Sequence, residues 1–211
     1  MRRALLCTLA ILVFGAAAVA DTITYSTTGS FSGSSPTPTA SGGCGTVQSA
    51  FGNTSASTSN NCLISSAAGT TITINFENNS NSVLSPSNIS LGAFHVTGSF
   101  AGDPSFNDSF TLTINQTQPS VGSGTSTTTV NGNISFDPSQ SNIVLTFDNN
   151  PVIINGVTYT LQNTYFLAPP GSNGSDGVTS LQAVVAAPEP ASLLLLGSGL
   201  WLTGFMRRRR K

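Results

Sequence analysis

Residues 70–76 read Thr-Thr-Ile-Thr-Ile-Asn-Phe (TTITINF). Ile72, Ile74 and Phe76 fall on one side of an extended chain; Thr71, Thr73 and Asn75 fall on the other. Strict alternation of apolar and polar residues is the mark of a half-buried strand, because successive side chains leave a strand on opposite faces. The same period recurs downstream. It places Phe110, Leu112 and Ile114 together in SFTLTIN (109–115), and Ile134 and Phe136 in GNISF (132–136). It groups Ile143, Leu145 and Phe147, then Val157, Tyr159 and Leu161, then Leu181, Ala183 and Val185. Asn155-Gly156 within INGV supplies the residues a type I′ hairpin turn requires, and VNGN (130–133) is a second turn candidate. No window between the ends shows a helical period, and no fixed repeat is present. Seven or so short strands separated by Asn/Gly/Pro/Ser turns predict an all-β fold. The expected form is an antiparallel β-sandwich, with a jelly-roll as one such topology.

Upstream of residue 70 the composition changes. Only about an eighth of residues 22–69 are Leu, Ile, Val or Phe, against over a quarter of residues 70–187. The first value falls below the roughly 20% that packed cores need. Residues 21–69 therefore read as a Ser/Thr/Gly-rich segment and 70–187 as the β core, with TITYSTTG (22–29) able to join as an edge strand. Cys44 and Cys62 lie in the poor segment. Their spacing is not Cys-x-x-Cys and the single histidine is far away in sequence, so a disulfide is expected rather than a metal pair. A loop of that length stabilises by about 3 kcal/mol in the chain-entropy account.

Positive charge is confined to the ends. Arg2 and Arg3 precede an apolar run from Ala4 to Phe14, and Ala18-Val19-Ala20 then forms an A-x-A exit. Residues 1–20 read as a secretory signal peptide cleaved before Asp21 rather than a membrane anchor, since the run is short. Cys7 is preceded by the bulky Leu6 and followed by more apolar chain, which argues against lipidation. Between the ends there is no Lys or Arg. Asp21, Glu77, Asp103, Asp108, Asp137, Asp148 and Asp176 give the exported body a formal charge near −7. Such a body cannot neutralise phosphates, which excludes nucleic acid and anionic lipid as electrostatic partners.

Catalytic constellations are weak. His95 in LGAFHVTGS points opposite to Phe94 and Val96 in any strand; a general base is one reading, and a solvated or packed strand residue is the plainer one. No Gly-x-Ser-x-Gly elbow occurs. Glu77 paired with Asp103, Asp108, Asp137 or Asp148 would suit glycoside hydrolysis. Yet the Asp residues of GDPSFNDS, FDPSQSN and FDNNP sit beside Pro or Asn, where Asx-turns account for them. The same oxygens suit Ca²⁺, and GSNGSDG (171–177) has the character of such a turn, but no twelve-residue calcium loop is present. No catalytic residue, metal site or cofactor is therefore expected, a structural Ca²⁺ being the alternative.

The tail, PEPASLLLLGSGLWLTGFMRRRRK (188–211), has three parts. Pro188, Glu189 and Pro190 come first, sixteen apolar or small residues from Ala191 to Met206 follow, and Arg207, Arg208, Arg209, Arg210 and Lys211 close it. As a helix the middle part is about 24 Å long, short of a hydrocarbon core of about 30 Å. The cationic end stays cytoplasmic by the positive-inside rule and stops the chain there. The order and spacing of these parts resemble the PEP-CTERM sorting signal of Gram-negative bacteria. The resemblance covers residues 188–211; the Ser/Thr/Asn-rich, cation-poor body is similar only in style to other carriers of that signal. It implies processing by exosortase, a membrane sorting protease, and release or attachment at the outer surface in species that make exopolysaccharide. The expectation is a non-enzymatic exported protein of the surface or extracellular polysaccharide matrix. The alternatives are a secreted carbohydrate-active enzyme with paired acids and a permanently anchored adhesin.

Overall fold

The computed structural model describes residues 20–34, 39–40, 44, 50–51, 61–67, 70–98, 104–133, 142–148, 150–170 and 176–188. The expected signal peptide up to Val19, GNISF beyond Asn133, and the tail from Glu189 onward, with its expected membrane helix and cationic end, lie outside the described residues. Among the described residues no helix is long and apolar enough to cross a membrane.

The alternating stretches become strands. In chain order these are β1 (Thr22–Ser32), β2 (Thr39–Ala40), β3 (Asn61–Ala67), β4 (Thr70–Asn78), β5 (Ser80–Leu84), β6 (Ser87–Gly98) and β7 (Ser105–Gln118). They continue as β8 (Gly122–Asn133), β9 (Val144–Phe147), β10 (Val152–Ile154), β11 (Val157–Leu161), β12 (Thr164–Phe166) and β13 (Gly177–Ala186). The strands are more numerous than expected, and β7 is 14 residues long. They form two antiparallel sheets, ordered β12-β9-β8-β7-β1-β5 and β10-β11-β13-β6-β4-β3-β2.

One apolar core joins the sheets. Phe31 and Phe110 of the six-stranded sheet meet Phe76 and Phe94 of the seven-stranded one. The Phe76–Phe110 and Phe94–Phe110 centroids lie 4.9 and 4.8 Å apart. Tilted and edge-on pairs of this kind add about 0.5–1.5 kcal/mol each beyond the burial of their surface. Tyr25 and Tyr159 bridge the sheets nearby at 6.4 Å. Their hydroxyls are not stranded, since Tyr25 donates to Ser90 O at 2.8 Å and Tyr159 to Gln116 Oε1 at 2.8 Å. Burial still pushes both phenols up to about 12.

Two expectations need correction. β1 is no edge strand, because β5 pairs with it on one side and β7 on the other. Its inward positions are Ile23, Tyr25, Thr27, Gly29 and Phe31, and the Thr and Gly among them mask the period. VNGN is no turn: Asn131 stands in β8 opposite both Asn107 and Val144, so a strand on each side satisfies its backbone. Asn155-Gly156 does turn, with positive φ of 49° and 88° and with Ile154 facing Val157. A bulge in β6, with Gly92 at φ 141°, shifts its pairing with β13 between Leu181 and Gln182.

Candidate sorting junction and the polar cluster of the outer face

The end of β13 is where the folded body meets the Pro-Glu-Pro sequence. Val185 faces Ser87 of β6 and Ala186 faces Thr158 of β11, so the sheet holds the chain to its last strand residue. The next amide, Ala187 N–H, donates to Ser85 Oγ at 2.6 Å. Pro188 then lies over the β10–β11 turn, where a Cβ on Gly156 would meet Pro188 Cγ at 3.1 Å. The opposite end of the body reaches the same residue. Asp21, the expected first residue after leader removal, accepts a hydrogen bond through its carbonyl from Ser85 N–H at 3.0 Å. Thr22 opens β1 opposite Leu84. One serine in the β5–β6 turn therefore ties together the chain just before β1 and just after β13. Sequence reasoning missed Ser85, which is 64 positions from Asp21 and 102 from Ala187. Nothing local in SVLSPSN marks it.

The expected disulfide is present: Cys44 and Cys62 are bonded. On the outer face of the seven-stranded sheet, Cys44 and Ala50 touch two polar side chains of β4. Cys44 O accepts from Asn75 Nδ2 at 3.0 Å, and Ala50 N–H donates to Glu77 Oε2 at 2.7 Å. On the same face His95 is 0% exposed. Its Nε2 stands 3.0 Å from Glu77 Oε2 and its Nδ1 stands 3.6 Å from Asp176 Oδ2. Ala50 N–H and His95 Nε2 therefore converge on the same oxygen of Glu77. The histidine thus points away from Phe94 and Val96, as its place in a strand requires, but it is packed rather than solvated.

Among the described residues, the carboxylates expected to offer pairs lie on separate elements. Glu77 is 2% exposed and accepts from Ala50 N–H, and Asp148 is exposed after β9. Asp108 is not in a turn. It stands within β7 opposite Val130 and is buried where the backbone of Gly33 approaches it closely. Asp176 lies beside His95, while Asp103 and Asp137 fall outside the described residues. Among the described residues no group of three or more His, Cys, Asp or Glu side chains could hold a metal ion.

The outer face of the six-stranded sheet carries a different pattern. Ser26, Thr28 and Ser30 of β1 lie opposite Asn115, Thr113 and Thr111 of β7. Those in turn lie opposite Ser123, Thr125 and Thr127 of β8. Strands about 4.8 Å apart with outward residues every second position make this a regular grid of hydroxyls and amides. It carries no charge.

No curated protein and no solved structure matches this chain. A family model does match where the body ends: residues 186–211 fit the PEP-CTERM protein-sorting motif. Its match begins at Ala186, the last residue of β13, and takes in Pro188, Glu189, Pro190 and the run from Arg207 to Lys211. The chain carries a PEP-CTERM sorting motif from the end of its last described strand onward, a motif that is the substrate signal for exosortase and supports export and sorting by it.

Proposed function

We propose that the body is a non-enzymatic component of the extracellular polysaccharide matrix, a β-sandwich delivered to the outer surface of a Gram-negative cell. The tail crosses the membrane between Ala191 and Met206, with the cationic end cytoplasmic, until the sorting protease removes it. The observation that carries this reading is the uncharged Ser/Thr/Asn grid on β1, β7 and β8. Hydroxyls and amides both donate and accept, as the hydroxyls of a hydrated polysaccharide do. A body without Lys or Arg has no partner for the anions of an acidic polymer, so the polymer it suits is neutral. A groove of about 250 Å³ lined by Asn88, Thr160, Gln162, Gln182 and Val184 is equally free of charge.

The test is affinity electrophoresis through gels containing a neutral glucan or an anionic uronate polymer. The neutral polymer should retard the protein, and Thr125→Asp with Thr127→Asp should abolish retardation without unfolding, both side chains being exposed. Incubation with the neutral polymer should release no reducing ends. Equal migration of wild type and variant in the neutral gel would overturn the assignment of the face, and steady release of reducing ends would overturn the non-enzymatic reading.

A further inference from the structure

We infer that the Ser85 end of the body is a lipid-contacting surface, seated on the bilayer while the tail is inserted. This rests on the proposed reading that residues 191–206 cross the membrane. The first argument is reach. Pro188 is still packed on Gly156, and three peptide steps separate it from Ala191. Three steps span at most about 11 Å. A body folded through Pro188 therefore has no linker on which to stand away from the membrane.

The second argument is the chemistry of the surface held there. The turns at this end are Ser85-Pro86, Pro119 to Val121 and Asn155-Gly156, and Asn155 Nδ2 ties two of them by donating to Val121 O at 2.8 Å. Leu84 is 61% exposed, Val121 80% and Ile153, two residues before the turn glycine's partner Asn155, 64%. Pro86, Pro119 and Pro188 are exposed among them. These apolar tips surround the point where the chain leaves the fold. Asp21 is the charged group described at this end, and Glu189 follows Pro188 in the sequence. Asp108 sits at the far part of β7 from Gln118, and Asp176 precedes the start of β13. The apolar tips lose little on leaving water for the headgroup boundary, while the carboxylates of Asp21 and Glu189 resist transfer and hold the rim at that boundary rather than deeper. Binding does not require basic residues, which the body lacks, because the tail supplies the attachment and the rim sets the orientation.

The experiment uses the exported, tail-bearing chain from cells lacking the sorting protease, reconstituted in phosphatidylcholine vesicles. A polarity-sensitive nitrobenzoxadiazole probe is placed on single cysteines at Leu84, Val121, Val178 or Ser198, and doxyl-labelled lipid is added as quencher. Loss of fluorescence is expected at 84 and 121, with none at 178, which is exposed on β13 near His95 and remote from the rim. The probe at 198 reports tail insertion by itself. Quenching at 198 without quenching at 84 and 121 would overturn the seated rim and leave the insertion reading intact. No quenching at 198 would overturn both. In the seated state, Leu84→Asp with Val121→Asp should remove quenching from a probe at Ile153. If wild type shows no rim quenching in protein-free vesicles while the double variant impairs tail removal in cells, the rim meets the sorting protease instead, and the lipid assignment fails.

Discussion

Replacing Ser85 with Ala separates the two links it makes. Ser85 Oγ is the acceptor for Ala187 N–H at 2.6 Å, whereas the link to Asp21 uses the backbone N–H of residue 85, which alanine keeps. The lost bond is a neutral one at a part-buried site. A bond of that class contributes about 1 kcal/mol net. At about 1.4 kcal/mol per tenfold change, local opening at Ala187 becomes about fivefold more frequent. Hydrogen exchange on the folded body reads this directly. The Ala187 amide should lose about fivefold protection in Ser85→Ala, while the residue 85 amide, bonded to Asp21 O, should keep its own. Val185, held by ladder pairing to Ser87, serves as the internal reference. Unchanged protection at Ala187, or equal loss at residues 85 and 187, would refute the claim that this hydroxyl fastens the sorting junction. A junction that opens more often should also be cut more readily by a soluble protease, since cleavage needs an extended, unpaired chain.

Other outcomes follow from the packing. Removing the disulfide with Cys44→Ser and Cys62→Ser should lower stability by about 3 kcal/mol in denaturant titration, and an unchanged midpoint would count against the bond's contribution. Phe110→Ala should cost about 3–5 kcal/mol, because its ring contacts Phe31, Phe76 and Phe94 at once; a loss under 1 kcal/mol would contradict the shared aromatic core. Tyr25 and Tyr159 ionise near 10 in the unfolded chain and near 12 in the fold. Their contribution is therefore complete below pH 10 and is lost as pH rises toward 12, so alkaline unfolding should set in across that window. Tyr159→Phe should shallow the pH dependence, and an unchanged slope would count against the buried phenol.

The all-β class was legible because Ile72-Thr73-Ile74, Phe110-Thr111-Leu112 and their like keep strict alternation, and Asn155-Gly156 announced its hairpin. β1 was harder to read. Thr27 and Gly29 occupy core-facing positions, and the reason lies in other strands: Thr27 Oγ1 donates to Leu91 O at 2.6 Å, and the aromatic rings of Phe76 and Phe110 fill the space a side chain at 29 would need. VNGN misled because a turn-forming pair can also lie in a strand flanked on both sides. The sorting motif was readable in full, since it is a local order of Pro-Glu-Pro, apolar run and arginines. Ser85 and the Glu77–His95–Asp176 cluster were not, because each is assembled by register between segments far apart in the chain.

The central claim is that the 186–211 tail directs sorting and is removed by exosortase. Intact-mass analysis of the exported protein, in wild-type cells and in cells lacking the sorting protease, tests it most directly. The account predicts a mature chain beginning at Asp21 and lacking Arg207 to Lys211 in wild type, and a heavier, membrane-held chain retaining them in the mutant. A wild-type protein that keeps its tail through Lys211, with the same mass and location in both strains, would contradict it.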